Sequence, residues 1–181
     1  MGFVLTKEIM EGARDYITLA EKCAWVDAVA PHCIDSMKIT IGEDNQQMPD
    51  MFIISHDRKS RFLMTALVMI YMGISIPDMD DKPITDCMSA EDYDVYAGAH
   101  IINQIERMKS DAQLRSKCFD LLADYKDLTK RLSLQIEGLI AVQNDSVVRQ
   151  SMAMMDEMTK LPALLEELKK YADDKEKVQK K

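Results

Sequence analysis

DAQLRSKCFDLLADYKDLTKRLSLQIEGLIAVQNDSVVRQSM, residues 111–152, is the stretch whose reading decides the fold. Leu114, Cys118, Leu121, Tyr125, Leu128 and Leu132 recur in steps of 4-3-4-3-4, the heptad seam of a long packed helix. Ile136, Leu139 and Val142 follow out of that alternation, a stutter that relaxes a left-handed supercoil. Asn144-Asp145-Ser146 then reads as a turn, because these side chains compete with the helical backbone for its hydrogen bonds. Beyond it Val148, Met152, Met155, Met158, Leu161, Leu165, Leu168 and Ala172 mark a second helix. So short a connection makes the two helices antiparallel neighbours. The expectation for 111–181 is therefore an antiparallel helical hairpin. Its Met152, Met155 and Met158 should face Leu132 to Val142, with Pro162 kinking or restarting the helix near Thr159–Leu161 and a fraying tail from Asp173.

Working back toward the N-terminus, Phe62 to Ile76 is the most apolar segment, with Arg58, Lys59 and Arg61 before it and acids after it. It is shorter than the roughly 18 to 20 residues a membrane span requires, so a central buried helix over 57–74 is expected instead. The chain before it should open with helices capped at Thr6 and at Thr18, where Thr18 and Glu21 match a capping box. Ser89, with Asp92 three positions on, should cap another helix. Only 37–55 alternates like a strand, and it reads as one small β-hairpin or as an extended loop. The fold class is all-α: a compact N-terminal helical bundle over 1–110 and the hairpin over 111–181, or the two as one continuous domain.

The 181 residues are 47% hydrophobic and 30% charged, a globular composition, and the six glycines and five prolines are too few for a turn-rich sandwich or barrel. Eighteen acids face ten bases in 1–110, while thirteen face thirteen in 111–181, so the whole net charge of −8 belongs to the N-terminal part. That acidity repels nucleic-acid phosphates, and nucleic-acid binding is not expected. Cys23, Cys33, Cys87 and Cys118 form no CxxC pair, which suits buried thiols in a reducing compartment. No secretory leader is evident, and the cytoplasm is the expected location.

Motifs that would carry chemistry are missing. GxGxxG and GxxxxGK[ST] do not occur, and none of His32, His56 and His100 has a glutamate three positions before it, as a di-metal bundle needs. His32, Cys33 and Asp35 are the nearest approach to a metal cluster, yet they read as a helix end with a buried thiol. The acidic loop within 78–94, opening on Asp78, Asp80 and Asp81, lacks the glycine and glutamate of a calcium loop. Arg58, Lys59 and Arg61 form a basic patch without interleaved aromatics, and the Gly2 acylation pattern lacks a polybasic second signal. No catalytic residue, metal ligand or cofactor is assigned. The expected function is that of a non-enzymatic interaction or assembly protein, its C-terminal hairpin serving self-association or a protein partner. The alternative is a ligand- or metal-binding bundle, enzyme or sensor, with a pocket near His32, Tyr93, Tyr96 or His100.

Overall fold

The computed structural model describes residues 3–179 except 39, 42–45, 48–49 and 80, and gives the backbone alone for 40, 41, 46, 47, 154 and 157–179. Gly2, Asp80 and most of the polar loop at 42–49 thus lie outside the described residues. The chain is mostly helical. It forms two compact units, Met1–Asp35 with Ile53–Ile140, and Ser36–Phe52 with Ala141–Lys181.

Local capping chemistry starts each short helix. In α1, Lys7–Gly12, the Thr6 hydroxyl accepts from the Ile9 amide; in α2, Leu19–Val29, Thr18 and Glu21 satisfy one another reciprocally. Arg14 donates to both Glu21 oxygens at 3.0 Å, which with the Thr18 amide lowers the Glu21 carboxyl to about 2. Pro31 closes α2 with a 3-10 turn, Ala30–Cys33. Four short strands follow: β1 Ile34–Met37, β2 Thr40–Ile41, β3 Gln46–Gln47 and β4 Met51–Ile54. β1 pairs with β4, and β2 pairs antiparallel with β3, Thr40 opposite Gln47. Among the described residues, the strand character expected within 37–55 is present as these short strands, the first beginning at Ile34.

The apolar segment forms α3, His56–Thr65, and continues as a π-helix, Ala66–Tyr71, until Gly73 turns the backbone into the left-handed region at φ 63°. Phe62, Leu67, Val68 and Tyr71 are buried, as a central helix requires. α4, Ala90–Gly98, is capped by Ser89 on the Asp92 amide, and α5 spans Ile101–Met108. Among the described residues no helix is long and apolar enough to cross a membrane.

The C-terminal part corrects the expected hairpin. A single helix, α6, runs Arg115–Gln179 through Asn144-Asp145-Ser146 and through Pro162. Neither glycine nor proline stands at 144–146, so helix costs only tenths of a kcal/mol per residue there, up to about 0.7. Two contacts offset that cost. Asn144 accepts from the Phe52 amide (2.8 Å) and donates to its carbonyl (3.1 Å), so its side chain is not spent on capping. Asp145 and Arg149 pair at 2.8 Å, one turn apart. Asn144→Ala should weaken this clamp by about 1 kcal/mol and speed exchange of the Phe52 amide roughly fivefold by hydrogen-exchange mass spectrometry.

The heptad seam is real, but elements of the N-terminal part cover it. Leu114, Cys118, Leu121, Leu128, Leu132 and Ile136 are buried in one core with Trp25, Val26, Val29, Leu67 and Tyr71. Lys117 fixes this part of α6 to the α1 end, donating to the Glu11 carbonyl (2.7 Å) and pairing with Asp15 (3.4 Å).

Candidate functional site

Three arrangements have the makings of a site: a buried charge network, a set of grooves, and the distal face of α6.

The network centres on Asp124, one turn from both Leu121 and Leu128 of the seam. One carboxylate oxygen accepts from the Lys22 ammonium; the other accepts from the Tyr71 hydroxyl (2.7 Å) and the Ile17 amide (3.1 Å). Lys22 is only 6% exposed and also donates to Asp127 (2.9 Å), which Arg131 grips at 2.9 Å. Burial pushes the Asp124 carboxyl up, but the donors from Lys22, Tyr71 and Ile17 outweigh it and hold it below the ordinary range. Burial draws Lys22 down and its two carboxylates reverse that, while burial and Asp124 drive Tyr71 far above the usual phenol value. Each group is thereby locked in one protonation state near neutrality. The arrangement ties the entry to α2, α2 itself and the π-helix to α6, which is a structural lock rather than an acid–base pair. Sequence reasoning missed it because Lys22 sits among helical residues like any surface lysine. The visible trace was Asp124, Asp127 and Arg131 at helical spacing beside the seam.

Two grooves lie beside this core. One, of about 310 Å³, is lined by Cys23, Val26, Asp27, Arg131, Leu134 and Gln135. The other, of about 300 Å³, is lined by Met64, Ala97, His100, Ile101, Ile102 and Asn103. His100 has φ 51°, an uncommon conformation for a residue with a side chain, and it turns the chain between α4 and α5. Gln104 steadies that turn, donating to the Ala99 carbonyl (2.7 Å) and accepting from the Leu5 amide (2.7 Å). The Gln104 side chain is thus spent on holding backbone.

The other residues singled out in the sequence are scattered or engaged. Asp35 pairs with Arg58, whose guanidinium also donates to the His32 carbonyl (3.2 Å). Cys33 is fully buried, and burial raises its thiol to about 11, so it offers no thiolate at neutral pH. Among the described residues no group of three or more His, Cys, Asp or Glu could hold a metal ion. Arg61 pairs with Asp57 (2.8 Å), so two of the three cations in the 58–61 patch face acids of this chain. Tyr96 packs on Phe3 at 5.1 Å, and Tyr93 is half-buried against the core.

The distal part of α6 differs. Val148, Met152 and Met155 share one helical face at steps of four and three, and they are 49%, 65% and 68% exposed. Met152 and Met155, expected to pack against Leu132 to Val142, do not, because an unbroken helix cannot fold back on itself. Met154 and Met158 lie outside the described side chains.

No protein-family model matches the chain, and neither a curated protein nor a solved structure matches it significantly.

Proposed function

We propose that this is a non-enzymatic assembly protein whose distal α6 is its contact element. The observation that carries the reading is the exposed apolar face of Val148, Met152 and Met155 on an uninterrupted helix. Apolar residues at 4-3 spacing are what a helix presents to a partner helix, and methionine adapts its shape to what it meets. The 111–181 part is electrically balanced, so even an acidic partner is not repelled there as it would be by the acidic remainder. Three ionisable groups elsewhere serve the fold: Asp124 is saturated by donors, Asp35 is paired, and Cys33 is a buried thiol.

A photoreactive side chain tests this in cells expressing the protein. Met152→benzoylphenylalanine should give a covalent adduct to a polypeptide on irradiation, whereas the same residue at the exposed Glu137 should not. Equal, low yields at the two positions would remove the reading.

A further inference from the structure

Resting on that reading, we infer that distal α6 is an oxidant-sensitive contact, and that Met152 and Met155 are the side chains through which a hydroperoxide releases it. The described methionines fall into two populations. Met10 and Met88 are fully buried, and Met64, Met72 and Met79 are no more than 8% exposed, all within the hydrophobic core. Met69 and Met108 are partly buried against that core. Met152 and Met155, at 65% and 68%, are the most exposed of the methionines whose side chains are described, ahead of Met37 at 46% and Met51 at 40%. An oxidant must reach the sulfur, so it meets these two before it meets the core. The step is an oxygen transfer. A sulfur lone pair attacks one hydroperoxide oxygen, the O–O bond breaks, and the oxidant leaves reduced to water or an alcohol while the thioether becomes a sulfoxide. A flexible apolar side chain is thereby made polar. Two of the three residues on the Val148, Met152 and Met155 face would then bring an S–O group to an apolar contact, where it loses its water without gaining a donor. Oxidation acts on the free chain, and the sulfoxides stop its return to the assembly. The shielded core methionines keep their packing, so the contact is lost while the fold holds.

The test treats the full-length protein, isolated from its cells, with hydrogen peroxide and follows it by light scattering, circular dichroism and peptide mass spectrometry. The scattering mass should fall to that of the single 20.7 kDa chain while the helical signal holds. One oxygen should appear on each of Met152 and Met155, with Met10 and Met88 unmodified. Methionine sulfoxide reductases for both epimers should then restore the thioethers and the assembly together. Met152→Leu with Met155→Leu keeps the face apolar but removes its sulfur, and the assembly of this variant should survive the same peroxide. An assembly that persists with both sulfurs oxidised overturns the inference. So does release that persists in the leucine variant, which places the cause at another residue, such as the exposed Cys23. Failure of the underlying reading is distinct and takes the inference with it: the protein then has the single-chain mass before any peroxide is added.

Discussion

Asp124→Ala should destabilise the protein by about 3 kcal/mol in urea denaturation, the lower end of what removing one partner of a buried ion pair costs. The loss comes from what stays behind. Lys22, almost fully buried, keeps Asp127 but loses its closer carboxylate, while the Tyr71 hydroxyl and the Ile17 amide lose their acceptor. Asp124→Asn retains an acceptor without the charge and should cost less. Asp120→Ala, at an exposed residue whose carboxylate takes one bond from Ser116, should be near neutral. The pH dependence follows from the directions of the shifts. Asp124 has its pKa lowered on folding, so its contribution is complete above the unfolded value of about 3.9 and fades as pH falls through the folded value. Lys22 has its pKa raised, so its contribution is complete below about 10.4 and fades as pH rises through the folded value. The contribution of this pair should be flat across the neutral range, and Asp124→Ala should remove its share of the fall in acid.

Ser146→Pro should cost about 3 kcal/mol or more and reduce the far-ultraviolet helical signal, because proline inside a helix loses a hydrogen bond and clashes with the preceding turn. Ser146 is exposed, so the effect isolates the backbone. Were residues 144–146 a turn between two helices, proline there would be almost silent. Ser146→Ala gives the converse: a continuous helix should gain a few tenths of a kcal/mol from the better helix former.

Much of this fold was legible from local chemistry. The capping box at Thr18 and Glu21, the Ser89 cap and the heptad seam from Leu114 to Leu132 all rest on contacts within a few residues, or on periodicity. The central apolar helix was legible for the same reason. The continuity of α6 was not, because a local stop signal at Asn144-Asp145-Ser146 is overruled by a contact with Phe52, 92 positions away. The Lys22–Asp124 lock was hidden likewise, its partners lying 102 positions apart on helices whose packing no local pattern specifies. Of the residues singled out as candidates for chemistry, His32, Cys33 and Asp35 are adjacent in sequence, yet Asp35 turns to Arg58 and Cys33 is buried in the core. The exposed face of α6 was half legible. Val148, Met152 and Met155 were read as one stripe, but assigned to a partner arm that the unbroken helix does not supply.

That stripe is where the account is most exposed to refutation. Light scattering on the full chain, with and without Met152→Glu and Met155→Glu together, gives the deciding measurement. Both side chains are exposed in the single chain, so the double substitution leaves its fold intact. The account predicts an assembly heavier than the single 20.7 kDa chain for the unsubstituted protein isolated from its cells, and the single-chain mass for the variant. The single-chain mass of 20.7 kDa for the unsubstituted protein so isolated, or an assembly indifferent to the two glutamates, would contradict it.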